Sequence, residues 1–123
     1  MKRYVQRAAI VALVVAFGAA GFFKLMDPGS FRDQFLSFGL PGWWVYVTGA
    51  VELLGAALVA FSKEVTRRFG AVILATTMAV AAMLHLIHDP VVLALPALAL
   101  MLLAGYVALL APHSKATQRL AGA

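Results

Sequence analysis

Apolar positions gather into four runs along the 123-residue chain, at 8–26, 43–61, 70–88 and 91–111, separated by short polar breaks. Each run is 19–21 residues long. A helix rises about 1.5 Å per residue and the hydrocarbon core is about 30 Å thick, so each run predicts one helical crossing of a bilayer. The polar breaks carry turn and cap chemistry. Asp27-Pro28-Gly29 marks a turn, and Ser30 is placed to cap a short helix with Asp33 three residues on. In that helix Phe31, Phe35 and Phe38 recur on one side, opposite Arg32, Gln34 and Ser37. Such a stripe predicts an amphipathic helix lying in the outer interface, stopped by Gly39 and Pro41. His88-Asp89-Pro90 predicts a tight turn, with Asp89 capping the fourth helix and Pro90 in its first position. Pro96 should kink that helix and Pro112 should end it. The pattern as a whole gives an all-α fold. Residues 1–123 form a single four-transmembrane-helix bundle, with a short interfacial helix between the first two spans.

Composition agrees and narrows the functions. Hydrophobic residues make up 63% of the chain and charged residues 12%, about half the charge of a soluble domain. The net charge of +5 does not point to nucleic acid, because the cations flank apolar runs as topology signals do. There is no cysteine, so this chain carries no thiol-disulfide exchange, thiolate metal site or cysteine nucleophile.

The charges also set an orientation. Lys2, Arg3 and Arg7 precede the first run, Lys63, Arg67 and Arg68 separate the second and third, and Lys115 and Arg119 follow the fourth. That places eight of the ten basic residues on one side. The opposite side has Arg32 with Asp27, Asp33 and Asp89. Lys/Arg excess marks the cytoplasmic face, so both termini are expected there, in the cytoplasmic (inner) membrane. Tyr4 should mark the inner interface, and Trp43, Trp44 and Tyr46 the outer one. Lys2 and Arg3 before an apolar run imitate a signal peptide, but the run extends through Met26 and exceeds an ordinary h-region. It is expected to be retained as the first helix.

An intramembrane charge costs about 2.5–3.5 kcal/mol on insertion scales, so Lys24, Glu52 and His85 each need a reason. Glu52 lies nine residues past Trp43, about 14 Å down by helix rise. Its neighbours Thr48, Gly49, Gly55 and Ala56 form a small face of the kind on which membrane helices meet, so Glu52 should point into the bundle. There it is neutral or paired with a cation. Lys24 continues the small line Ala12, Ala16, Ala20 and is the natural partner; the alternative is that it snorkels to the outer headgroups. His85 shares a face with Met78, Ala81 and Ala82. His85, His88 and Asp89 together form a weak metal pattern, outweighed by the capping role of Asp89. Both histidines fall on one helix, which disfavours a b-type haem held between facing helices. Thr76, Thr77 and Tyr106 read as back-bonded or packing residues. Lys24, Glu52 and His85 are thus candidates for a small polar pocket in the outer half of the bundle, with Phe23, Trp43 and Trp44 near its mouth. Such a pocket suits a quinone head group or another small amphipathic ligand. The competing reading is a structural polar clasp that fixes helix order.

Three segments carry a resemblance: Ala20-Gly21-Phe22-Phe23-Lys24-Leu25; Phe35 with Phe38-Gly39-Leu40-Pro41; and Gly49-Ala50-Val51-Glu52-Leu53-Leu54-Gly55-Ala56. In order and spacing the chain resembles the DoxX and DoxX-like membrane proteins. The match is firmest over residues 17–61, looser through the third run, and only in hydrophobicity along the fourth. The resemblance implies a four-helix integral protein of the bacterial cytoplasmic membrane. Members include the membrane subunit of a thiosulfate:quinone oxidoreductase and proteins of oxidative-stress redox complexes. It also implies a bundle similar to that of vitamin K epoxide reductases, whose cysteine pairs this chain lacks. Only Lys24, Glu52 and the surrounding glycines map onto the family pattern.

The leading expectation is a membrane subunit associated with a quinone-linked redox complex, with quinone as the candidate cofactor and no catalytic constellation in view. The alternatives are a non-catalytic structural or assembly factor, and a small-solute or proton transporter working as an oligomer. Expected partners are the bilayer and other membrane subunits or further copies of the chain, not nucleic acid.

Overall fold

The computed structural model describes residues 2–110, and these are all helix and turn, without strand. Helix α1 spans Lys2–Met26, α2 Gly29–Ser37, α3 Trp44–Ala60 and α4 Glu64–His88. The fourth apolar run is not one regular helix. It opens as a 3-10 turn at Val91–Ala94, continues as α5 over Leu95–Gly105, and ends in a π-helical turn at Tyr106–Leu110. Residues 3–26, 64–88 and 91–109 are long and apolar enough to cross a membrane; α3 is apolar but has only 17 residues.

The long helices follow one another up and down. Helix α1 packs on α3, α3 on α4, α4 on α5, and α5 closes back on α1. Their ends define two faces of the bundle. One carries α2. The other carries Lys63, Arg67 and Arg68, with the two arginines at the start of α4.

The core is made of small side chains, which lets backbones meet. On α1 the buried line is Ala9, Leu13, Phe17 and Gly21. This corrects the expected line of Ala12, Ala16 and Ala20: Ala12 is exposed, and Ala16 and Ala20 are only half-buried. Four-residue spacing is satisfied by either line, and the bulk of Leu13 and Phe17 decides which one turns inward. A methyl carbon placed on Gly21 would fall 2.6 Å from the Gly49 carbonyl oxygen and 2.9 Å from the Leu53 nitrogen. On Gly70 it would fall 2.6 Å from Leu58 Cβ and 2.8 Å from the Gly55 carbonyl oxygen. Helix α3 is therefore in backbone contact with α1 on one side and α4 on the other, the close approach that small residues permit in membranes.

Three local expectations are corrected. Ser30 does not cap α2. The helix starts at Gly29 with Pro28 in the cap position, and the Ser30 hydroxyl donates to Asp27 Oδ2 at 2.6 Å. Asp89 does not cap the next helix either. It ends α4, four residues after His85, and its carboxylate turns back to that ring. Pro96 does not kink a running helix. In a regular helix its ring would crowd the Val92 carbonyl and leave it without a donor. Here the Leu95 N–H takes that carbonyl in 3-10 fashion, and Pro96 falls in the first turn of α5. Gly39 does stop α2, as expected. It has φ +80°, its N–H reaches the Leu36 carbonyl and the Leu40 N–H reaches that of Phe35, a Schellman ending that favours glycine. Thr76 and Thr77 back-bond to Val72 and Ile73. Ala111, Pro112, Lys115 and Arg119 lie outside the described residues.

At the basic end the arginines serve helix termini. Arg67 Nε donates to the Val59 carbonyl near the end of α3, at 3.1 Å. Arg68 Nη1 donates to the Ala108 carbonyl in the π turn at 2.7 Å, while Nε and Nη2 bond Glu64.

The glycine contacts generate a paired prediction. Gly21→Ala should destabilise the bundle by about 1–3 kcal/mol, because backbone atoms cannot give way to the new methyl. Gly18 has nothing within 4 Å of the corresponding position, so Gly18→Ala should be neutral or stabilising by up to about 1 kcal/mol. Denaturant-titrated unfolding in detergent micelles separates the two.

Candidate functional site

Lys24 and Glu52 come together where α1 and α3 touch. Lys24 sits one turn beyond Gly21, and Glu52 three residues beyond Gly49. The two glycines bring the backbones close enough for the side chains to meet. Lys24 Nζ donates to both carboxylate oxygens, at 2.7 and 2.9 Å. Glu52 is 1% exposed and the Lys24 side chain 14%. The ammonium is turned inward to a partner, so the snorkelling alternative is set aside. Opposite side-chain leans on antiparallel helices close the gap that helix rise alone leaves between these positions.

Helix α2 roofs this pair. Phe35 is buried, and Phe31 and Phe38 are half-buried on the same stripe. The Lys24 ammonium lies 5.5 Å from the Phe31 ring centroid, a cation–π contact. Phe38 packs against His85 at 5.2 Å with the rings nearly perpendicular, and against His88 at 5.5 Å. The stripe that the sequence assigned to the lipid interface thus faces the bundle. Its polar side, with Arg32, Asp33, Gln34 and Ser37, is exposed. The stem of Arg32 packs over Gly42, where a methyl carbon would meet its Cγ at 3.2 Å.

His85 is 17% exposed, and its Nδ1 lies 2.8 Å from Asp89 Oδ2. His88 Nδ1 donates to the Leu84 carbonyl at 3.0 Å. His85, His88 and Asp89 therefore do not converge as ligands, and no three such side chains are grouped for a metal among the described residues. Nor does a contact among the described residues join His85 to Lys24 or Glu52. Two separate pairs, Lys24–Glu52 and His85–Asp89, sit under one aromatic stripe. Their contact points, Phe31 and Phe38, are about 10 Å apart by helix rise.

The expected aromatic mouth is placed elsewhere. Trp43 and Trp44 stack on each other at 5.1 Å and are 58% and 36% exposed. Phe23 is also exposed, edge-on to Phe22. The rings over the polar pairs are those of α2. The sequence carried that signal in the seven-residue separation of Phe31 and Phe38, but periodicity alone does not tell a lipid-facing stripe from a protein-facing one.

The model of the DoxX-like family matches residues 8–107. No curated protein and no solved structure matches the chain. The family match covers most of the sequence, and the chain belongs to the DoxX-like family as a membrane protein.

The ion pair predicts a strongly non-additive mutant cycle. Lys24→Met or Glu52→Gln alone should cost about 3–5 kcal/mol, because each removes the partner of a buried polar or charged group. The double variant should recover most of that loss. Unfolding free energies of the four proteins give the coupling; near-additive losses would mean that the side chains do not act as a pair.

Proposed function

We propose that this DoxX-like protein is a four-span subunit of the cytoplasmic membrane, with both termini inside, that holds a quinone-type head group for an associated redox complex. The observation that carries the reading is the buried Lys24–Glu52 pair beneath the aromatic stripe of α2. Such charges are costly at lipid depth and mark functional sites there. The groups present suit this ligand. Glu52 takes two donor contacts from Lys24, which leaves the third ammonium proton for an oxygen of the head group. Phe31 and Phe38 offer apolar ring surface between Lys24 and His85. A quinone would supply the redox chemistry. This chain's residues would bind and orient it and keep it near the outer face.

The short helix α3 is the fourth span in this reading. It packs on α1 and α4, and its outward side, with Tyr46, Ala50, Leu54 and Ala57, is apolar enough to face lipid. The basic end, with Lys63, Arg67 and Arg68, is cytoplasmic by the positive-inside rule, and α2 is then external.

A second reading, a structural or assembly subunit, draws support from the pairing itself. No side-chain nitrogen or oxygen among the described residues is buried without a partner. A clasp that only fixes helix order needs nothing more.

Two measurements test the proposal. The chain has no cysteine, so single cysteines report sidedness cleanly. An impermeant maleimide should label Ser37→Cys in intact cells and Ser62→Cys only after permeabilisation; the reverse pattern would invert the topology. Protein purified in mild detergent should retain quinone in its lipid extract, and Lys24→Met/Glu52→Gln should lose it. Retention that is absent in the native protein, or unchanged in the double variant, would leave the structural reading.

A further inference from the structure

His85 presents its ring in one defined way. Its Nδ1 faces a carboxylate oxygen 2.8 Å away, and a carboxylate only accepts, so Nδ1 carries the proton. In the neutral ring the other nitrogen, Nε2, is then a bare acceptor. No described residue bonds it. No side-chain nitrogen or oxygen among the described residues is both buried and unpaired. The unpaired Nε2 is therefore open to the surroundings, beside the Phe38 ring that packs against the imidazole. The titratable group in contact with this ring is Asp89 from α4; His88 touches the same Phe38 ring. From α2 the facing group is the uncharged Phe38.

At the other end of the same stripe stands a group of opposite character. The Lys24 ammonium donates only, and two of its contacts already go to Glu52. A ligand oxygen at Lys24 must accept, and one at His85 Nε2 must donate. An oxidised quinone carries only accepting carbonyls, so its oxygen would oppose the Nε2 lone pair. The reduced form carries hydroxyls, which accept and donate.

We infer that His85 is a specificity-determining residue that makes the site under α2 favour the reduced, hydroxyl-bearing form of a quinone-type head group. The inference rests on the head-group reading proposed above. Asp89 acts through His85, by holding the proton on Nδ1 and so leaving Nε2 free to accept.

The test uses the full-length protein in lipid nanodiscs at about pH 8, at the upper edge of the range in which histidine changes charge. Decylubiquinol, decylubiquinone and the dimethyl ether of the quinol are titrated calorimetrically. The quinol should bind about tenfold more tightly than the quinone, the expected effect of one well-placed hydrogen bond against an unmade one. The ether, which cannot donate, should bind as weakly as the quinone. His85→Leu should bring quinol and quinone within about threefold of each other, while His88→Gln keeps the preference. Nitrogen-15 spectra of the histidine-labelled native protein add a readout that needs no variant: the His85 Nε2 resonance should shift on adding quinol and stay in place on adding quinone. Equal binding of the two forms by the native protein, or a preference that survives His85→Leu, overturns the inference while sparing the head-group reading. Failure of both forms to bind overturns the two together.

Discussion

An ammonium and a carboxylate within hydrogen-bond distance, buried where two helices meet, set the terms for the rest of this molecule. Neither group is tolerable there alone, and the contact closes only if α1 and α3 approach until their backbones nearly touch. That requirement explains the glycines at 21 and 49, where a single methyl would intrude on main-chain atoms. It also explains why the core holds so many alanines and few large side chains. In lipid the hydrophobic effect gives helices little reason to associate, so close packing and polar contacts carry the association. The Lys24–Glu52 pair and the glycine contacts are one device seen at two scales.

The opposite end uses charge differently. Arg67 and Arg68 each donate to a main-chain carbonyl near a helix terminus. Those termini carry the partial negative charge of the helix dipole, so cations are favoured there twice over. The π turn at the end of α5 matters in this respect, because a turn of that width disturbs the regular bonding ladder and Arg68 supplies a donor to it. These two cations therefore complete backbone hydrogen bonding at two helix ends.

Much of this was legible in the sequence. Run length gave the long apolar helices, though the fourth run is broken into 3-10, α and π pieces. The small face around Glu52 gave its inward direction, and the Lys24 pairing was one of two readings that spacing left open. The misses have physical causes. Ser30 and Asp89 each satisfied a capping pattern, but a capping residue has more than one acceptor or donor in reach. Asp89 found an imidazole one turn back, and Ser30 found the Asp27 carboxylate. Pro96 was read against a continuous helix, whereas the chain had already tightened into a 3-10 turn. The Phe stripe of α2 was correct in phase and wrong in partner. Amphipathicity measures how a helix is divided, and the neighbouring surface decides what covers its apolar side.

The shortness of α3 bears on how the site responds to its host membrane. Bilayers differ in thickness, and helices accommodate the mismatch by tilting or by deforming the lipid around them. Helix α3 has 17 residues, fewer than any of the three stretches long enough to cross, and its outward side carries Tyr46, Ala50, Leu54 and Ala57. As a span it is the one that a thick bilayer loads first. Glu52 rides on that helix, so a change in membrane thickness reaches the carboxylate directly, with the Lys24 contact and the glycine packing as the restraints.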